Sequence, residues 1–264
     1  MLFGELCEIM ENVPRDHVQC TSGQWYRVCL EADGEEGWVD AKMIAPIGGK
    51  DYREYKKGLK TAAVVAMPMV YAVSENNGQT IPLTAGTRLP KYQVTKDQGL
   101  PARFGRFEVL GVGFRIDPGM VIEKPLEMSE QSLQQTVRFF LNVPYLWGGK
   151  NAMGMDCSGF VQTIMGLFGK ALPRNASAQT KCGRKVRSLD KSRAGDLVFF
   201  NHGEPDHTHV THVGILIDPA RVIHCSGRVK VEKIDETGII SIEGTDKEHP
   251  QGVYTHELVG IRRV

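Results

Sequence analysis

One cysteine, Cys157, stands in "MGMDCSGFVQ" between an acid and a serine, where a glycine-rich segment gives way to an apolar run. A thiol attacks carbonyl carbon as its thiolate and needs a base to take its proton. In "GFVQTIMGLF", residues 159–168, Phe160, Ile164, Leu167 and Phe168 fall on one helical face. That spacing predicts a helix with Cys157 at its start and Asp156 or Ser158 as its cap. Backbone N–H groups and the positive end of the helix dipole are expected to favour a thiolate there. For the base, "HVTHVGILID" is followed by "RVIHCSG", so His212 opens one strand and His224 ends the next. With a turn centred on Pro219 and Ala220, facing residues have numbers summing to about 437–439. His212 and His224 are then offset by one or two positions, within reach of an imidazole contact if they share a face.

The stretch "FNHGEPDHTHVTH" crowds His202, His207 and His209 beside Asp206, and a zinc site is the competing chemistry. These residues lack regular ligand spacing and run into strands, so the expectation is a site without metal or cofactor. His17, His249 and His256 read as ordinary surface or core histidines.

The elements that must hold these groups change texture along the chain. Residues 3–45 read as short strands: "LCEIM", "WYRVCLE", the turn "ADGEEG" and "WVDAKMIAP". Residues 48–60 are charged and read as a connection or short helix. A second strand-rich block covers 61–116, with Asn77-Gly78 favouring a hairpin. In "LEMSEQSLQQTVRFFLNV" the apolar positions 133, 137, 140 and 141 have helical spacing, with Ser129 or Ser132 as cap. The strands "GDLVFFN", "HVGILID", "RVIHCSG", "GRVKVEKI" and "ELVGIRRV" follow the cysteine segment, giving an α+β arrangement with an antiparallel sheet.

Composition narrows the partners. The 264 residues carry 32 Lys and Arg against 31 Asp and Glu, which supplies no electrostatic reason to bind nucleic acid or an anionic membrane. A small or neutral substrate fits better. No run approaches the roughly 18 apolar residues of a membrane-spanning helix. "MLFGELCEIMENVPRD" has acids where an export signal would be basic and then apolar, so the expected location of the chain as it stands is cytoplasmic. Six cysteines, at 7, 20, 29, 157, 182 and 225, form no C-x-x-C pair; reduced thiols are expected, with disulfides left open.

Two resemblances follow from these residues. "FGELCEIM…WYRVCLEADGEEGWVD" resembles the bacterial SH3-like (SH3b) modules attached to cell-wall enzymes, on Gly4, Trp25, Tyr26, Gly37 and Trp38. Only three residues precede Gly4. The first barrel is therefore expected to be shortened, with an unpaired edge or a borrowed strand, and a lost export signal would place the protein in the periplasm or at the cell wall. "YLWGG…MDCSGFVQ", "LPRNASAQ", "AGDLVFF", "HVGILID" and "VIHCSG" are similar in order and spacing to the NlpC/p60 cell-wall cysteine peptidases. The implied organisation is multidomain: two all-β SH3b-like barrels at 1–48 and 61–116, then a papain-like α+β catalytic domain at 125–264.

The resemblance implies Cys157 as nucleophile, His212 as base and His224 as third member, with Cys157 N–H and the Tyr145 hydroxyl as oxyanion donors. It implies hydrolysis of the D-Glu-γ-L-diamino acid bond in peptidoglycan-derived peptides by a monomer. A pocket for a free N-terminal L-Ala needs acids for the ammonium, where Asp156 is expected, and a cation or hydroxyls for the carboxylate, where Ser158 and Arg174 are expected. Two departures stand out. The pattern L-P-R-D-S-x-x-Q here has Asn175 and Ala176 in place of acid and serine, and "DGEEGW" has Glu35 where an aromatic is usual. The Glu35 carboxylate is then a substitute for the lost charge at Asn175. The competing readings are a cell-wall peptide binder with altered catalysis, and an amidase or acyl transferase of the same fold.

Overall fold

Short alternating runs punctuated by glycine-containing turns give the N-terminal third its strands. The structure, a computed structural model, describes residues 1–13, 24–96, 103–203, 206–243 and 251–264; His17 and His249 lie outside them. It divides into two units, Met1–Lys124 and Pro125–Val264. Among the described residues no helix is long and apolar enough to cross a membrane, and Cys7, Cys29, Cys157, Cys182 and Cys225 are free thiols.

In the first unit β1 (Cys7–Val13), β2 (Trp25–Leu30) and β3 (Glu36–Asp40) form an antiparallel sheet in that order. Among the described residues β1 and β3 are its edges. The charged segment that followed is a full helix, α1 (Gly49–Leu59). It buries Tyr55, whose hydroxyl donates to the Gly4 carbonyl at 2.9 Å.

The second strand-rich block contains β4 (Ala63–Val65), β5 (Met69–Ser74), β6 (Thr80–Thr84), β7 (Arg88–Leu89), β8 (Gln93–Lys96), β9 (Arg103–Val109), β10 (Val112–Ile116) and β11 (Val121–Ile122). They make two sheets, β6-β5-β10-β9-β8 and β11-β4-β7. Their shared core holds Val65, Ala72, Leu83, Leu89 and the stacked rings of Phe107 and Phe114, 5.1 Å apart. The β5–β6 hairpin turns at Asn77-Gly78: Gly78 has φ +69°, and the Asn77 side chain accepts from Gln79 N–H at 3.1 Å.

The second unit begins with α2 (Glu130–Val137), closed by a reciprocal Ser129–Ser132 capping box. Leu133, Val137 and Phe140 are buried as the helical spacing requires, but the helix tightens to a 3₁₀ turn at Arg138–Phe140 and turns Leu141 outward. A small hairpin, β12 (Lys150–Asn151) and β13 (Gly154–Met155), leads into α3 (Cys157–Leu167). α3 is buried nearly all round, because its second face carries Val161 and Met165 as well. After α4 (Ala176–Gln179) come β14 (Arg184–Val186), β15 (Leu197–Asn201), β16 (His212–Asp218), β17 (Arg221–Ser226), β18 (Arg228–Ile234), β19 (Gly238–Ser241) and β20 (Val253–Arg263).

Their order is β14-β20-β15-β16-β17-β18-β19, and β20 pairs with β19 as well as with β15. Six strands therefore close into a ring, a closure that the sequence reading as an antiparallel sheet did not include. The length of β20, 11 residues, lets one strand satisfy both neighbours. Val198, Phe200, Leu216, Val222, Ile234, Ile239 and Ile261 cluster on the inner face. By the two-residue alternation of strands, His212, His224 and Glu232 share that face with Leu216, Val222 and Ile234. α3 packs against β16 and β17.

Candidate active site

Cys157 is the first residue of α3, and the Asp156 side chain caps the helix by accepting from Gly159 N–H at 2.7 Å. The thiol is 8% exposed and lies beside the start of β16, where the Val213 backbone N–H points at its sulfur. Burial pushes the thiol pKa up, and the nearby Asp156 charge adds to this; N–H groups of Val213, Ser158 and Cys157 itself work the other way and do not prevail. The N–H groups at the helix start favour the thiolate, but desolvation outweighs them and leaves the thiol pKa raised.

The two histidines meet as the hairpin spacing requires. Gly214 faces His224 across β16–β17, so His212 lies two positions further along the same face. His212 Nε2 and His224 Nδ1 are 2.8 Å apart, and the rings stand at 85° with centroids 5.0 Å apart. Gly214 makes this possible. A Cβ there would lie 2.6 Å from Val222 Cγ2 and 3.1 Å from His224 Cβ, in the space that the ring pair uses.

Behind His224 sits a carboxylate that the sequence reading missed. Glu232 Oε2 is 2.8 Å from His224 Nε2, and Lys230 Nζ lies 3.3 Å from Glu232 Oε1 and 3.0 Å from Glu243 Oε2. Continuing the hairpin count would have found it. His224 faces Lys230 and Val222 faces Glu232 on β18, so both charged residues fall on the histidine face. A third imidazole, His256 on β20, packs 4.5 Å from the His212 ring and 4.5 Å from the His202 ring. It is buried and borders the site.

Burial, then the neighbouring His224, His256 and His202, drives the pKa of His212 well below the usual 6.5. Burial lowers His224 too, against the raising pull of Glu232. His256 falls to about 3 for the same reason. Burial opposes the charge of Glu232, yet hydrogen bonds from His224 and Ser241 and the charge of Lys230 hold it down to about 2. The chain at neutral pH is therefore thiol, two neutral imidazoles and a carboxylate. A neutral imidazole hydrogen-bonded to a second one can accept a proton and have its imidazolium stabilised through that second ring.

Tyr145 opens the loop into β12; its N–H donates to the Gly227 carbonyl and it bridges to Met155. Burial, the thiol of Cys157 and Asp156 push its hydroxyl up to about 12, so it remains a donor. Asp156, expected to meet a substrate ammonium, is engaged inside the protein. Its carboxylate accepts from Gly148 N–H (2.9 Å), Gly159 N–H, Ser158 Oγ (3.3 Å) and the Arg174 guanidinium (2.9 and 2.5 Å). Arg174, expected to face a carboxylate with Ser158, donates to Ser158 Oγ and the Gly149 carbonyl as well. These three residues pin the Tyr145–Gly149 loop to the start of α3. Asn175 is exposed and precedes α4. Glu35 sits in the β2–β3 turn of the first unit, where its carbonyl accepts from Leu30 N–H. Among the described residues no group of three or more His, Cys, Asp or Glu is arranged to hold a metal, and His207 is paired with Glu257 at 2.6 Å.

Residues 142–242 match the NlpC/P60 family. The chain is 29% identical over 255 residues to a γ-D-glutamyl-L-lysine dipeptidyl-peptidase of Bacillus subtilis, covering 93% of this chain and 77% of that protein. It is 37% identical over 219 residues to the Bacillus cereus protein of the same name, covering 76% of this chain and 62% of that one. A crystal structure of an NlpC/P60 family protein from Bacillus cereus superposes with TM-score 0.69 at 22% identity, over 90% of this chain and 75% of that one. The fold is thus shared with a structure of that family, and residues 142–242 of this chain form an NlpC/P60 domain.

Proposed function

We propose that the domain is a cysteine peptidase that hydrolyses the D-Glu-γ-L-diamino acid bond of peptidoglycan-derived peptides, with a free N-terminal L-Ala preceding D-Glu. The observation that carries the reading is the thiol at the start of α3, beside the strand whose first residue, His212, is hydrogen-bonded to His224. His212 Nδ1 takes the Sγ proton as sulfur attacks the γ-carbonyl carbon of D-Glu. Cys157 N–H and the Tyr145 hydroxyl receive the developing oxyanion. The C–N bond breaks, the leaving amine takes the proton from His212, and water then hydrolyses the thioester. The substrate class follows the names of the two Bacillus relatives. The first unit fits two SH3b-like modules, supported by its three-stranded sheet at one end and the two facing sheets that follow.

The test is incubation of wild type and Cys157→Ala with L-Ala-γ-D-Glu-L-Lys, its diaminopimelate counterpart and the N-acetylated form of each. The reading expects release of L-Ala-D-Glu by wild type alone and little turnover of the acetylated peptides. Equal turnover by Cys157→Ala removes the thiol from the reaction. Binding of all peptides without turnover by wild type favours the binding-protein reading, and cleavage of acetylated peptides removes the free-amine requirement.

A further inference from the structure

The imidazole pair poses a problem of proton bookkeeping. Neutral imidazole has one N–H and one lone pair, and their placement decides which nitrogen can act as base. His212 Nε2 and His224 Nδ1 share one hydrogen bond, so one of them donates and the other accepts. If His224 Nδ1 carried the proton, His212 Nε2 would have to accept it. His212 would then carry its own proton on Nδ1 and have no lone pair to offer the thiol. Nothing in the pair itself selects between the two arrangements.

The selection lies one step further back. Glu232 Oε2 is 2.8 Å from His224 Nε2, and an ionised carboxylate only accepts. The proton of His224 must then sit on Nε2, its Nδ1 must accept, and His212 must donate from Nε2 and keep its lone pair on Nδ1. We propose that Glu232 is a positioning residue of the peptidase site, whose carboxylate sets the tautomers of His224 and His212 in series and so delivers the lone pair of His212 Nδ1 to the thiol of Cys157. This inference rests on the peptidase reading above for its kinetic part, but not for its tautomers.

Two further observations support it. Glu232 and His224 are 7% and 0% exposed, so no bulk water competes for the hydrogen bond. Lys230 sits between Glu232 and Glu243, and Arg228 pairs with Glu243, so the carboxylate is held ionised by a row of charges leading to the surface. The groups facing this row are His224 from β17, Lys230 from its own strand, Glu243 just after β19, and His256 from β20 at 5.7 Å from the His224 ring. When His212 becomes an imidazolium, the same carboxylate lies two hydrogen bonds away and stabilises it, which the tautomer alone would not do.

The experiment uses the full chain and two variants, Glu232→Gln and Glu232→Leu. Glutamine keeps an oxygen that accepts from Nε2–H but removes the charge; leucine removes both. With the tripeptide substrate, E232L is expected to lose roughly tenfold or more in kcat with KM changed less than about threefold, and E232Q to recover part of the loss. Nitrogen NMR of ¹⁵N-histidine-labelled wild type, with the His224 signals assigned by their loss in His224→Asn, is expected to show Nε2 protonated and Nδ1 bare at neutral pH. In E232L that preference is expected to weaken. A kcat for E232L within twofold of wild type, or an Nδ1-protonated His224 in wild type, overturns the proposal. If E232L does not fold, E232Q kinetics and the wild-type spectrum decide. If wild type cleaves no wall peptide, the function reading fails while the spectrum still decides the tautomers.

Discussion

Cys157 is held between opposing influences, and the sign of the balance fixes how its reactivity should depend on pH. Burial and Asp156 raise the thiol, while burial and neighbouring imidazoles lower His212 well below 6.5. A lowered base stays neutral as pH falls, so its lone pair persists below pH 6.5. A raised thiol stays protonated as pH rises, so the pair keeps its resting form beyond pH 9. The rate kcat/KM on wall tripeptide should be flat between about pH 7 and 9, with its acid limb below 6.5; an acid limb centred above 7 contradicts it. Gly214 gives a second expectation. Gly214→Ala places a methyl group 2.6 Å from Val222 Cγ2 and 3.1 Å from His224 Cβ, so the strand or the ring must shift. Overpacking of this kind costs about 1–3 kcal/mol. Denaturant titration should show the loss, and kcat should fall more than KM changes because the imidazole pair is displaced. Unchanged kcat would mean that the ring pair tolerates the methyl group.

The helix α3 depends on one carboxylate. Asp156 caps it, holds Gly148 N–H and neutralises a buried guanidinium, so its loss affects three things at once. Asp156→Ala removes a cap, about 1 kcal/mol, and leaves Arg174 buried without its partner, about 3–5 kcal/mol. Asp156→Leu combined with Arg174→Met should recover much of that stability in denaturant titrations but not the activity, because the Tyr145–Gly149 loop is no longer tied to the helix. A double variant as unstable as Asp156→Ala would show that packing, not charge, dominates. The cap was legible because a helix start has few solutions: an acid before "CSGF" and an apolar face behind it. The Asp156–Arg174 pair was not, since a separation of 18 positions says nothing about which acid a distant arginine meets. Glu232 was legible in principle, for the same kind of hairpin count that set His224 near residues 213–215 can be repeated about the next turn to reach β18. It was hidden because alternating Lys and Glu on a strand read as solvated charges. Leu141 failed for a different reason: periodicity continues past Val137, but the backbone tightens there and rotates the next apolar residue outward.

At the scale of the second unit, closing six strands into a ring brings together imidazoles from strands far apart in sequence. The strands themselves could be found from their apolar alternation. The pairing of β19 with β20 could not, because alternation gives each strand a face but not a neighbour. The pairing of β20 with β15 brings His256 beside His202, and the His212, His202 and His256 rings it gathers have a consequence for stability. His212, His224 and His256 are buried and have pKa values below 6.5 in the folded protein, whereas in the unfolded chain they titrate normally. Below pH 6.5 the unfolded state binds more protons, so stability is present above that value and is lost as pH falls. Each histidine contributes a slope of up to about 1.4 kcal/mol per pH unit over the window its shift opens. For His256 that window runs from 6.5 down to about 3. Glu232 adds to the loss only below about 4.5, because its folded value is held down to about 2. Denaturant midpoints measured from pH 8 to pH 5 should therefore stay level to about 6.5 and then fall, well before ordinary carboxylates titrate. His256→Phe, which keeps the ring volume without the proton site, should flatten part of that fall. A midpoint constant from pH 8 to 5 in wild type, or an identical fall in His256→Phe, would place the acid sensitivity outside the imidazole stack.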